Sequence, residues 1–189
     1  MGAVAHTINP RLFPEQIIYI VNHAADRFIF VDLTFVPLLE AVASHISKVE
    51  GIVVLTDKAH MPTSSKLSNL ICYEDLIADM STEFNWPLLD ENCDAALCYT
   101  SGTTGNPKGV MYTHRSTILH TIASVQHNAL NITNDTVLLP VVPMFHVNAW
   151  GTPYAATMTG AKIVFPAHGM DGASLYELIN GEQANLLLG

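Results

Sequence analysis

The residues best suited to chemistry stand together in the stretch Thr100-Ser101-Gly102-Thr103-Thr104-Gly105-Asn106-Pro107-Lys108-Gly109, which carries three glycines, four hydroxyl side chains and one lysine. Such a set fits a polyphosphate. Glycines let the backbone approach an anion, free N–H groups and hydroxyls donate hydrogen bonds, and the lysine neutralises charge on a leaving phosphate. The loop is not a Walker A loop, because Pro107 stands five positions after Gly102, where G-x-x-x-x-G-K-[ST] requires glycine.

Two further residues attract attention downstream. His146 follows a hydrophobic strand candidate and Trp150 lies four residues on; the plain alternatives are a structural histidine and a core tryptophan. His114, His120 and His127 are spaced six and seven apart, which does not put all three on one helical face, so no metal is assigned to them. Cys72, Cys93 and Cys98 are odd in number and lack a C-x-x-C spacing, which suggests neither a disulfide framework nor zinc and fits a reducing compartment. Asn131-Ile132-Thr133 and Asn134-Asp135-Thr136 match a glycosylation pattern but read as turns without a signal peptide.

Composition narrows the partners. Eight Lys plus Arg against 17 Asp plus Glu give a formal charge of −9, which repels a nucleic-acid backbone, so no nucleic-acid partner is expected. An acidic chain that handles nucleotides must gather positive potential locally, as a glycine-rich loop with a lysine does. Every apolar run is interrupted well short of the ~18 residues a membrane span needs, and the start has no basic region before an apolar stretch. The expectation is a cytoplasmic protein with no transmembrane segment.

The elements that must position these residues alternate. Strand candidates at 4–8, 28–31, 52–56, 95–100, 136–142, 161–165 and 184–188 are separated by helical stretches, the pattern of βαβ units. The fold class expected is α/β with a largely parallel sheet. Pro14 opens a first helix with Ile17, Ile18, Ile20 and Val21 on its packing face, and Pro37 opens a second through Leu38, Leu39, Val42 and Ile46. The polar stretch 57–69 reads as a loop inside one domain, and the phosphate loop reads as a strand-to-helix connection. At 189 residues the chain can bury roughly 70% of its unfolded surface.

The full string Tyr99-Thr100-Ser101-Gly102-Thr103-Thr104-Gly105-Asn106-Pro107-Lys108-Gly109-Val110 resembles the hallmark loop of the adenylate-forming superfamily, which comprises acyl-CoA synthetases, adenylation domains and firefly-type luciferases. The likeness continues through His6-Thr7-Ile8-Asn9-Pro10-Arg11-Leu12, Tyr112-Thr113-His114-Arg115 and Pro143-Met144-Phe145-His146-Val147-Asn148-Ala149-Trp150, all similar to the fatty-acyl branch. A bare Ser/Thr/Gly turn is outweighed by the length and specificity of that match.

The resemblance implies a fatty-acid–CoA ligase that uses ATP, Mg²⁺ and CoA. Thr100 would help hold Mg²⁺, Ser101, Gly102, Thr103, Thr104 and Gly105 would contact phosphate, and Lys108 would meet departing pyrophosphate. His146 would border the acyl-adenylate and Trp150 the acyl path. Adenylation domains for amino acids usually follow the equivalent of Phe145 with aspartate; His146 stands there, which favours a simple carboxylic acid. The family's Y-G-x-T-E and T-G-D segments are missing, since no Tyr-Gly pair exists and Thr159-Gly160 continues to Ala161. Both ends look cut. Residues 1–189 are therefore expected to be an internal part of the larger N-terminal domain, inactive alone and prone to homo-oligomerise. The alternatives are a non-catalytic phosphate-binding or self-associating fragment and a ligase for a short or aromatic acid.

Overall fold

The computed structural model describes residues 1–100, 105–167 and 169–189. Two compact units emerge, one built from Met1–Thr7, Leu88–Cys98 and Val110–Gly189, the other from Ile8–Pro87 and Tyr99–Gly109. The second unit is simpler. Its strands β2 (Phe28–Val31), β3 (Gly51–Val54) and β4 (Leu70–Cys72) form a sheet in the order β2-β3-β4. Both pairings are parallel, with Phe28 opposite Gly51 and Ile52 opposite Leu70. All four residues of β3 are buried, as expected for the central strand of a parallel sheet covered on both faces.

Two helices of this unit follow from local sequence. Helix α1 (Pro14–Ala24) begins with Pro14 in its first turn, where the missing N–H is harmless, and the Phe13 N–H donates to Gln16 Oε1 at 3.2 Å. Ile17, Ile20 and Val21 are spaced three and four apart and turn one buried face inward. Ala25 ends the helix in a left-handed conformation (φ 56°). Helix α2 (Val36–Val42) contributes Val36, Leu39 and Val42 to the same core, which also takes in Ile17, Val21, Val31, Ile46, Ile52 and Val54. The sequence expectation carried α2 through to Ile46, but a tighter 3-10 turn at Ala43–His45 replaces its last turn. A short helix α3 (Tyr73–Ile77) follows β4.

The first unit holds two further sheets. Strands β1 (Ala5–His6), β5 (Asp94–Tyr99) and β6 (Gly109–Thr113) are ordered β1-β5-β6, and β7 (Val137–Pro140), β8 (Lys162–Ile163) and β9 (Leu186–Leu188) are ordered β8-β7-β9. Ala5 lies opposite Ala96, Val137 opposite Lys162 and Leu138 opposite Leu186, all in parallel register. Leu138 and Leu139 of central β7 are wholly buried. The helices are α4 (His114–Ser124), the single turn α5 (Val147–Trp150), α6 (Thr152–Thr159) and α7 (Gly172–Glu182), and α4 packs against α6.

The α/β expectation holds, with three parallel-rich sheets. Besides the end of α2, one local expectation fails and one strand goes unforeseen. The residues after Lys108 form strand β6 before any helix starts, because the β-favouring Val110, Tyr112 and Thr113 extend the backbone; Thr113 then caps α4, its Oγ1 accepting the Ser116 N–H at 3.0 Å. Leu70–Cys72, which lies just past the polar stretch 57–69 and is absent from the strand candidates, is a full edge strand. Among the described residues, no helix is long and apolar enough to cross a membrane.

Candidate active site

Strand β5 leads straight into the glycine-rich loop that the sequence suggests for phosphate. The Thr100 N–H donates to the Lys108 carbonyl at 3.0 Å, and the Lys108 N–H donates to Thr100 Oγ1 at 3.3 Å. These two bonds close the loop at its neck, so Thr100 and Lys108 flank the same mouth with both residues exposed. Ser101, Gly102, Thr103 and Thr104 lie outside the described residues. Gly105 has φ +150° with open space where a Cβ would stand, a conformation that side chains rarely adopt. Buried Pro107 fixes the backbone just before the lysine.

The neck has an anchor that the sequence did not disclose. Tyr99, the last residue of β5, forms a 2.6 Å hydrogen bond between its Oη and His23 Nδ1 near the end of α1, and the His23 ring stacks on Tyr19 with centroids 5.2 Å apart. Burial, and after it the electrostatic influence of nearby Tyr19 and Asp26, raises the Tyr99 pKa and keeps the phenol neutral. The signal was faint, since nothing in the sequence pairs His23 with a residue 76 positions away.

His146 and Trp150 lie in the other unit, at the two ends of one unusual turn. Both are exposed, Trp150 to 41%, and their rings meet edge to face with centroids 6.4 Å apart. Val147, Asn148, Ala149 and Trp150 have φ of 51°, 50°, 52° and 55°, a left-handed turn that Gly151 continues at 73°. Left-handed conformations cost L-residues roughly 1–2 kcal/mol each and normally occur singly, so four in succession require firm external support.

That support is visible. Asn148 is buried, and its Oδ1 accepts from Thr7 Oγ1 at 3.2 Å and from Cys98 Sγ at 3.3 Å while its Nδ2 donates to Tyr154 Oη at 3.3 Å. Burial raises the Tyr154 pKa, helped by the nearby Cys98 and opposed by the Asn148 bond, so the phenol stays protonated. Thr152 Oγ1 donates to the Ala149 carbonyl at 2.7 Å and His120 Nε2 donates to that of Trp150 at 3.2 Å. Sequence reasoning gave Asn148, Cys98, Tyr154 and His120 no part in the site. The one available signal was a lone asparagine within the apolar Val147-Asn148-Ala149-Trp150.

The chemistry of the donor set limits what metal could sit here. Among the described residues no group of three or more His, Cys, Asp or Glu side chains gathers to hold an ion. A single hydroxyl, Thr100, suits Mg²⁺, a hard cation that keeps most of its ligands from water and substrate phosphates. An open hollow lined by Leu55, Thr56, Asp57, Tyr73 and Glu74 has two carboxylates and no cation and is unsuited to phosphate. The three cysteines are free thiols.

Comparison with known proteins gives a consistent picture. The family model described as AMP-binding enzyme matches residues 1–189. The chain is 50% identical over its whole length to a medium-chain-fatty-acid–CoA ligase of Ectopseudomonas oleovorans, covering 34% of that protein. It is 47% identical to a 3-methylmercaptopropionyl-CoA ligase of Ruegeria pomeroyi, covering 35% of it, and 42% identical to a long-chain-fatty-acid–CoA ligase of Thermus thermophilus, covering 33%. The chain thus spans about a third of the length of these curated relatives. Among solved structures, a red-emitting luciferase from Phrixothrix hirtus matches with a TM-score of 0.82 at 22% identity, over 98% of this chain and 35% of that one. An anthranilate CoA ligase in complex with anthranoyl-AMP matches with a TM-score of 0.79 at 24% identity, over 98% and 35%. At such identities these structures establish the fold alone.

Proposed function

Because this chain belongs to the AMP-binding enzyme family over residues 1–189, we propose that it is the phosphate-loop portion of a longer ligase that joins a fatty acid to CoA. The observation that carries the reading is the loop itself, with Thr100 and Lys108 tied to each other at its mouth. In this reading the acid's carboxylate attacks the α-phosphorus of ATP, pyrophosphate leaves, and CoA thiol then takes the acyl group from the adenylate. Such chemistry relies on positioning and charge stabilisation.

The residues divide the work. Ser101, Gly102, Thr103, Thr104 and Gly105 supply N–H and hydroxyl donors to the β- and γ-phosphates, and Lys108 neutralises the pyrophosphate as it departs. Thr100 would contribute one oxygen to Mg²⁺, which when bound would offset negative charge on the phosphates. His146 borders the acyl-adenylate and Trp150 the path of the acyl chain. Residues 1–189 form an internal part of a larger N-terminal domain of a cytoplasmic enzyme, with the adenine, ribose and C-terminal lysine contributions supplied by other parts of the protein. The Ruegeria pomeroyi relative supports a second reading, a ligase for a short acid.

ATP–pyrophosphate exchange tests the proposal. The full-length protein is expected to exchange in the presence of fatty acid, and Lys108→Ala to lower kcat/KM by about 30–900-fold, or ~2–4 kcal/mol, as loss of one preorganised charge donor does. An unchanged kcat/KM removes Lys108 from the mechanism. The 189-residue chain alone is expected to show no fatty-acid-dependent exchange above its own Lys108→Ala control.

A further inference from the structure

The left-handed turn between His146 and Gly151 is the most strained segment of the described chain, and its stabilising contacts come from residues with no assigned part in the reaction. Four consecutive L-residues hold φ between 50° and 55°. A right-handed turn would relieve that strain and carry the Trp150 ring elsewhere. What prevents the relief is Asn148, buried and held by Thr7, Cys98 and Tyr154, together with the His120 bond to the Trp150 carbonyl. Asn148 is the key member, because its side chain uses Oδ1 twice and Nδ2 once only while its backbone is left-handed, a conformation asparagine tolerates better than most residues.

We propose that Asn148, assisted by His120, is a positioning residue that locks the Val147–Trp150 turn in its left-handed form and thereby sets where the Trp150 and His146 rings are presented to the acyl substrate. The residue acts through its neighbours and touches no reacting atom. Selectivity among acids then depends on Asn148 as well as on Trp150 itself. This rests on the placement of Trp150 beside the acyl path given above.

The test separates the two ideas. The chain has two tryptophans, and Trp86 is 80% exposed, so a Trp86→Phe background leaves Trp150 as the only indole. In that background Asn148→Ala is expected to shift the Trp150 emission maximum and its acrylamide quenching while the far-ultraviolet circular dichroism stays the same. Unaltered emission and quenching would overturn the proposal.

If Asn148→Ala does not fold, half-exposed Val147 provides a second arm through Val147→Gly and Val147→Ala, which both lose the two γ-methyls and differ from each other only by the Cβ. In a left-handed turn glycine is the more stable of the two, whereas in a right-handed helix alanine is. A melting temperature higher for Ala than for Gly therefore overturns the proposal, and the reverse order supports it. In the full-length protein, Asn148→Ala should change kcat/KM ratios across a fatty-acid series by up to about fourfold per methylene with KM for ATP unchanged. A shifted emission with unchanged ratios upholds the lock and instead refutes the placement of Trp150 beside the acyl chain.

Discussion

Gly151→Ala probes the joint between the left-handed turn and helix α4, and the structure supplies both parts of its cost. Gly151 has φ +73°, so any Cβ there is strained by about 1–2 kcal/mol. The added carbon would also stand 2.9 Å from His120 Cδ2 and 3.1 Å from Nε2, closer than packed atoms allow, so the ring must move. That ring donates to the Trp150 carbonyl, and losing one such bond costs about 0.5–1.5 kcal/mol net. The sum, roughly 1.5–3.5 kcal/mol, corresponds to a fall of about 3–14 °C in melting temperature for a chain of this size. Gly160 is the internal control: its φ is +75° but nothing lies within 4 Å of its Cβ position, so Gly160→Ala bears the backbone cost alone. Gly181, inside α7 with open space around it, should become more stable as alanine by roughly 0.5–1 kcal/mol. Thermal scans of the three variants are expected in the order Gly181→Ala, Gly160→Ala, Gly151→Ala from highest to lowest. Equal losses at Gly160 and Gly151 would mean that the His120 ring yields freely, refuting its role in holding the turn.

Trp150→Ala in the full-length protein should alter chain-length preference more than affinity for ATP, as its ring competes with methylenes worth up to ~0.8 kcal/mol each; a uniform loss across a fatty-acid series, with a large drop in melting temperature, would make it a packing residue instead. The Arg27 guanidinium, donating to Glu50 at 2.6 and 2.9 Å, holds that carboxyl below its ordinary value of 4.5. Because the folded-state value is the lower one, the pair's contribution is present above about pH 4.5 and fades as pH falls. The melting-temperature gap between wild type and Glu50→Gln should therefore close on acidification; a gap that widened would reverse the assignment. Exposed apolar side chains such as Ile118, Leu119 and Ile122 on α4 and Phe13 and Phe30 in the other unit lead us to expect self-association of the 189-residue chain, and a monomer in light scattering at high concentration would count against it.

The sequence discloses most where one physical need dominates a short window. A polyphosphate demands glycine, hydroxyl and lysine within a few residues, so the loop around Lys108 is legible without coordinates, and strand β3 is legible because a covered central strand is apolar at every position. Shorter elements set by distant partners were not. Leu70–Cys72 is a strand because Val53 and Val54 lie beside it, and the β-favouring residues after Lys108 become a strand where β5 offers them an edge to pair with. The supports of the candidate site were hidden for the same reason: Asn148 meets Thr7 across 141 residues and Cys98 across 50, separations over which no periodicity speaks. The handedness of its turn was equally silent, since Val, Asn, Ala and Trp would be unremarked in an ordinary helix.

The pairing of β1 with β5 has a consequence for how the chain is made. Ala5–His6 can find its partner only once Ala96 and Leu97 exist, about 90 residues later, whereas the intervening Ile8–Pro87 makes up most of the other unit and contains the whole β2-β3-β4 sheet. At a synthesis rate of roughly 5–20 residues per second, the first strand waits on the order of 5–18 s with its edge unpaired. Closing so long a loop is entropically dearer than any pairing within the intervening unit, so folding should start there and dock β1 late. Pulsed hydrogen exchange would then find the amides of β3 protected before those of Ala5 and His6.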